Sequence, residues 1–354
     1  MLGASNCLML IPMCAKKQPG SSPKNEPAAP AKEKPDEHQH DHDHEHDEEE
    51  GLSEEEKKKR ALESYQKAGK IAKEALERAR SKTKIGVKVI DLITDTEDFV
   101  VQQGGSIGFP MNVSINNVAA HYTSGPRDMT EIEEGMIVKL DLGVHVNGYI
   151  ADTATTVSFS KNPALENICI ASEKAMQTAI DMIKVGAQTN DIGKKINEVI
   201  KSYKYQPIKD LSGHTLERWM VHGSKQIPLI PQPTGQTIEE GDVFAVETFS
   251  STGEGQAHPL QIGNIYQLAL RHIPKIRNQA AKQLIGFIAK NYKTLPFSHR
   301  AWAKELMVPR FAINELIATG VLMEYKVLSD VKGSFVSQAE KTVYVHKDSV
   351  EILT

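Results

Sequence analysis

The hydrophobic pattern changes several times along the chain. Residues 15–35 are rich in Lys, Pro, Ser and Ala, and residues 36–50 are almost wholly acidic or histidine; neither stretch has the apolar content to bury a core, so disorder is expected over 1–52. At Ser53 a periodic pattern begins. Ser53 followed by Glu54-Glu55-Glu56 predicts a helix start with a capping box, and the helical pattern runs to about Ser81, acids ahead of bases as the helix dipole prefers. A second helix is expected from Lys88 to Gln103, closed by Gly104-Gly105. Residues 107–160 read as strands: Ile137 to Val144, a turn at Asn147-Gly148, and a return strand from Tyr149 to Phe159. Helices at 163–184 and 188–203 follow, then a strand from Phe244 to Phe249.

From about Pro274 the pattern changes again. It predicts a helix from Lys275 to Lys290, a short helix from about His299, a helix from Phe311 to Thr319, and a hairpin from Val321 to Phe335. That succession over residues 270–335 is similar to a winged helix. Strands at Phe335–Val345 and Val350–Leu353 close an α/β (α+β) chain. At 354 residues, against roughly 150 per domain, there is length for a large core.

Composition narrows the function classes. Three cysteines exclude a disulfide scaffold and a four-cysteine zinc site, and fit a reducing, cytoplasmic setting. Residues 1–35 carry +3, residues 36–50 carry −9, and the remainder is at +2, so bulk charge does not argue for nucleic-acid binding. No apolar run is long enough to span a membrane. Leu8 to Cys14 is short, contains Pro12 and lacks a basic flank, so no signal peptide is expected. His38, His40, His42, His44 and His46 alternate with acids; the tract reads either as a weak binder of divalent metal or as a solvated acidic tail.

The chemistry gathers on the strands. Asp141 and Asp152 lie on the two arms of the expected hairpin; their index sum of 293 would place them directly opposed, with Cβ atoms about 5 Å apart. Two carboxylates that close in a core repel, and divalent cations would relieve them. The bland alternative is one surface Asp and one turn Asp, but an Asp inside Lys-Leu-Asp-Leu-Gly-Val is hard to solvate. His214, Glu247 and Glu340 complete an oxygen-rich set suited to Mn, Fe, Co or Zn. Singly, each has a structural reading: a histidine after a glycine, a strand glutamate facing solvent.

These residues, with Phe109-Pro110, Asn116 to Tyr122, Ala151-Asp152, Gly213-His214, Val221-His222-Gly223, Glu247-Thr248-Phe249 and Gln338-Ala339-Glu340, resemble the type 2 methionine aminopeptidases over about residues 55–354. The insert between Glu247 and Glu340 and the motif Tyr292 to Phe297 resemble the archaeal branch. The resemblance implies the pita-bread creatinase/aminopeptidase fold and two divalent metal ions held by Asp141, Asp152, His214, Glu247 and Glu340, with Asp152 and Glu340 shared. It implies attack by a metal-bridging hydroxide on the first peptide bond of nascent polypeptides, with a small second residue preferred. Glu247 would shuttle a proton, His121 and His222 would face the substrate, and Phe109 would line the methionine pocket. It also implies a monomer in transient contact with the ribosome, without membrane or sequence-specific nucleic-acid partners.

Two features depart from the family pattern. Lys341 stands where the family usually has His; alternation along a strand should point it away from the metals. The His-rich tail is also foreign to the family and could hold metal near the site. Xaa-Pro aminopeptidases and creatinase share the fold, but residues 1–60 are too polar to form their N-terminal domain. A second reading is a catalytically silent relative that binds RNA or protein, against which the complete donor set argues.

Overall fold

The computed structural model describes residues 51–269, 275–303 and 306–354. The expected disordered extension and its histidine tract lie outside the described residues, save for its last two positions.

The first half comprises α1 (Glu54–Lys82), α2 (Val89–Gln102), β1 (Ser106–Ile115), β2 (Val118–Ala120), β3 (Ile137–Val146) and β4 (Tyr149–Ser158). α1 begins as its sequence demands: Ser53 accepts from the Glu56 backbone while the Glu56 side chain accepts from the Ser53 N–H. The second half repeats the plan with α3 (Pro163–Met182), α4 (Thr189–Ser202), β5 (Gln206–Pro207), β6 (Ser212–Thr215), β7 (Gln226–Pro228), β8 (Val243–Ser251) and β9 (His258–Pro259). Asn162 caps α3, with Pro163 at its first position. An intervening segment carries β10 (Ile265–Leu268), α5 (Gln279–Asn291), β11 (Phe297–Ser298), α6 (His299–Ala303), α7 (Arg310–Ala318), β12 (Leu322–Tyr325) and β13 (Leu328–Ser329). β14 (Val336–Val345) and β15 (Val350–Ile352) return to the main sheet.

The main sheet runs β1-β3-β4-β14-β8-β6-β7, with β15 on β14 and β5 on β8. The order is a pseudo-twofold, β3 answering β8 and β4 answering β14. A local repeat builds it. Ile132-Glu133-Glu134-Gly135 and Ile238-Glu239-Glu240-Gly241 each end in a glycine of positive φ (88° and 91°) that turns the chain into the following strand. Gly86 N–H donates to the Ile132 carbonyl at 2.7 Å, and Gly186 N–H to that of Ile238 at 2.8 Å. Asp141 and Glu247 occupy the same place in the two halves, each six residues past its glycine. Each half has its own core: Leu92, Ile93, Val138, Leu140 and Val144 beneath α1 and α2, and Ile192, Ile196, Phe244, Val246 and Val343 beneath α3 and α4. The strand residues among them alternate with those of the opposite face of the sheet.

The structure corrects two expectations. The β3–β4 register pairs Asp141 with Ala154 and Gly143 with Asp152, an index sum of 295. Asn147 (φ 54°) and Gly148 (φ 85°) are both central residues of a two-residue turn, so the reversal falls between them. Asp141 and Asp152 therefore share a face as diagonal neighbours, two positions out of direct opposition. Second, Val321 to Phe335 is no hairpin: β12 pairs with β10, and β13 pairs with β2 and β9. The helix expected from Lys275 begins at Gln279, capped by Asn278. α5 and α7 share a core with Tyr266 and Phe297 of the β11-β10-β12 sheet and with Trp302.

α1 lies close to the sheet because its inner positions are small: Ala68, Ala72, Ala75 and Ala79 are all fully buried. A Cβ on Gly69 would meet the Leu353 carbonyl oxygen at 2.5 Å. Gly69→Ala is expected to destabilise the fold by about 1–3 kcal/mol through overpacking against backbone. Urea denaturation checks this; an unchanged midpoint would show that the contact yields.

Candidate metal centre

Four carboxylates and one imidazole converge on the face of the sheet opposite the helices. Asp141 comes from β3, Asp152 from β4, Glu340 from β14, Glu247 from β8 and His214 from β6. Glu340 is the register partner of both Ala154 and Glu247, which draws the strands of the two halves into one site. Ligand atoms of Asp152, His214 and Glu340 lie within 4.8 Å of one another. His214 Nε2 is 4.0 Å from Asp152 Oδ2 and 3.8 Å from Glu247 Oε1. Gln338 ties in the fifth member: its amide donates to Asp141 Oδ2 at 3.3 Å and to Glu340 Oε2 at 3.4 Å.

This arrangement is uncomfortable as it stands. Burial, before any neighbouring charge, raises all four carboxylates, Asp141 to about 7. Coulombic repulsion adds to burial at Asp152, Glu247 and Glu340. Burial holds His214 neutral, its pKa drawn down to about 3, with the charge of His222 acting the same way. Its Nδ1 lies 3.3 Å from the Thr215 carbonyl, which can only accept, so Nδ1 carries the proton. Nε2 therefore turns a bare lone pair toward two carboxylate oxygens, too far for a hydrogen bond.

The residues present fit a divalent cation centre. Asp141 Oδ1 and Asp152 Oδ1 are buried with no hydrogen-bond partner, as is Oδ1 of Asn112, whose Cα pairs with that of Asp141. Hard oxygen donors with one imidazole suit first-row divalent ions. Thr342 holds the Asp152 backbone from both sides, donating to its carbonyl at 2.7 Å and accepting its N–H at 2.8 Å.

The other sequence-expected residues line the same face. His222 packs 4.5 Å from His214, ring centroid to centroid. It is solvent-exposed, yet desolvation by its surroundings pulls its pKa below the usual imidazole range. His121, just past β2, adopts φ 65°; burial and His222 bring its pKa to about 4, and its Nδ1 lies 3.2 Å from the Lys326 carbonyl. Phe109 is buried, its ring filling the space where Gly143 lacks a side chain. Lys341 lies on the opposite face, in a cavity of about 410 Å³ between α1 and α3 that Lys73 and Lys174 also line.

Two residues at the site carry no assignment from the sequence. Gln338 is readable there, since two positions before Glu340 on a strand places it on the same face. Tyr325 is not: its ring meets His121 at 5.3 Å and His222 at 6.4 Å, but it arrives from β12, whose partner is remote in sequence.

Residues 63–272 match the model of metallopeptidase family M24. The chain is 39% identical to a methionine aminopeptidase of Methanocaldococcus jannaschii over 296 residues, covering 83% of this chain and 99% of the relative. It is 40% identical to that of Pyrococcus horikoshii, covering 81% and 97%. Among solved structures, a thermophilic Arx1 aligns with a TM-score of 0.73 at 19% identity, over 85% of this chain and 91% of that one, a likeness of fold alone. Among the described residues no helix is long and apolar enough to cross a membrane. With this kinship and the clustered donors together, the chain belongs to the methionine aminopeptidases of metallopeptidase family M24, a metal-dependent hydrolase of the pita-bread fold.

Proposed function

We propose that this enzyme removes the first methionine from nascent polypeptides with a small second residue, and that Asp141, Asp152, His214, Glu247 and Glu340 would hold two divalent cations for that reaction. The observation that carries the reading is the convergence of Asp152, His214 and Glu340, whose ligand atoms lie within 4.8 Å of one another, with Glu247 Oε1 3.8 Å from His214 Nε2 and Asp141 tied in through Gln338. Bound cations supply Lewis acidity and an activated water. Everything else falls to side chains.

Glu247, which faces His214 at the edge of the cluster, takes the proton of the attacking water and passes it to the leaving amine. His121 spends its Nδ1 proton on the Lys326 carbonyl, so Nε2 is left to accept from the scissile N–H. His222 presents an N–H to the developing oxyanion. Phe109 and Tyr325 form the apolar wall for the methionine side chain. The β10–β12 segment is read as a winged-helix-like element in a packing role, and the enzyme as a monomer that meets its substrates at or near the ribosome.

Three outcomes are expected. Metal-stripped protein should release Met from a Met-Gly peptide only when Co(II) or Mn(II) is restored. Asp152→Asn should lower that rate by on the order of 100-fold or more; metal-independent release would refute the reading. Lys341→His, changing the far side of the sheet, should leave kcat/KM within about threefold.

The pH dependence has a definite sign. Carboxylates raised in the fold stabilise the metal-free protein at low pH, and that contribution is lost as pH rises through their folded pKa values, about 7 for Asp141. Cations displace those protons. The gain in Tm on adding Mn(II) should therefore be larger at pH 8 than at pH 6, and calorimetric scans at the two pH values check it.

A further inference from the structure

The chain between β8 and β14 grips the segment that carries His121, and it does so from three places. Arg300, in α6, donates through Nη1 to Thr123 Oγ1 at 3.0 Å and to the Ser124 carbonyl at 2.5 Å. Its Nη2 pairs with Glu97 of α2 at 2.8 Å. Asn264, just ahead of β10, donates to the Thr123 carbonyl at 3.1 Å. Lys326, just past β12, offers its carbonyl to His121 Nδ1, and Tyr325 packs on the same ring.

The partners of Arg300 close on one another. Thr123 Oγ1 donates to the Met111 carbonyl at 2.8 Å, and Glu97 Oε1 accepts the Met111 N–H at 3.1 Å. One planar guanidinium thus joins α6, α2, β1 and the 121–125 segment, with its side chain only 13% exposed. Two residues upstream of Thr123, His121 holds φ 65°, a left-handed conformation that is strained for a residue with a side chain.

We propose that this intervening segment is a clamp that fixes His121 against the substrate, with Arg300 as its central positioning residue. Arg300 does not touch the metal-site carboxylates; it acts through Thr123 and Ser124. The proposal rests on His121 facing the substrate, as argued above. It gives the insert a role inside this enzyme, in place of nucleic-acid binding.

The test uses Arg300→Met, Thr123→Val and His121→Ala in the metal-loaded full chain, with cleavage of a Met-Gly peptide, Mn(II) affinity and Tm as readouts. Arg300→Met should lower kcat/KM by roughly 10- to 100-fold, mostly through kcat, since small misplacements of a reacting geometry cost that much. Mn(II) affinity should stay within about twofold, because no metal-site residue is touched. Added to His121→Ala, it should cost less than about twofold more, since both remove one unit. Should Arg300→Met fail to fold, Thr123→Val removes one of the Arg300 contacts and leaves those to Ser124 and Glu97 in place, and a smaller loss of activity with Mn(II) affinity unchanged is expected. Unchanged activity in the folded variants, a loss that multiplies in full on the His121→Ala background, or a parallel loss of Mn(II) affinity would each overturn the clamp. If His121→Ala is itself fully active, the substrate-facing reading falls and the clamp with it. If only His121→Ala is impaired, the clamp alone falls.

Discussion

The burial of four carboxylates side by side in one space is the constraint on which the rest of this structure depends. Asp141, Asp152, Glu247 and Glu340 come from four strands, which the sheet brings together where its two halves meet at β4 and β14. Leaving them ionised and unpaired in the core would cost several kcal/mol per charge, and burial accordingly raises the pKa of all four. A divalent cation bound there would offset those charges, and the geometry fits one. His214 turns a lone pair inward, Gln338 bridges two of the acids, and two carboxylate oxygens have no protein partner.

The pseudo-twofold explains why such a site can be built from local rules. The Ile-Glu-Glu-Gly turns at 132–135 and 238–241 launch β3 and β8 with equal phase, so Asp141 and Glu247 each fall six residues past the turn glycine, on the same face from opposite halves. The helices below need only cover each half separately, and they do so with two distinct cores. Symmetry breaks where substrate chemistry needs it. β6 contributes His214 on one side alone, and the β10–β12 segment brings Tyr325 and Arg300 over the other.

Legibility in the sequence depends on range. The cap of α1 is legible because Ser53 and Glu56 are three residues apart. Period-two alternation places Asp141 and Asp152 on one face, but the register differs by two because the turn uses both Asn147 and Gly148 as central residues. The five converging residues are legible through family resemblance more than through spacing, since His214 and Glu340 are remote from the hairpin. Val321 to Phe335 has the pattern of a hairpin, yet its strands find partners in β10, β2 and β9, far upstream. The Ile-Glu-Glu-Gly repeat is a sequence signal that links Asp141 with Glu247 by position alone. Arg300 carries no such signal, its partners Thr123 and Glu97 being 177 and 203 positions away.

The most direct test of the account is anomalous diffraction from crystals of the full chain equilibrated with Mn(II). Two anomalous peaks within coordination distance of Asp141, Asp152, His214, Glu247 and Glu340 are expected, with both ions touching Asp152 and Glu340. A single peak, or none with the four carboxylates still clustered, would contradict a dinuclear centre as the reason these charges are buried together.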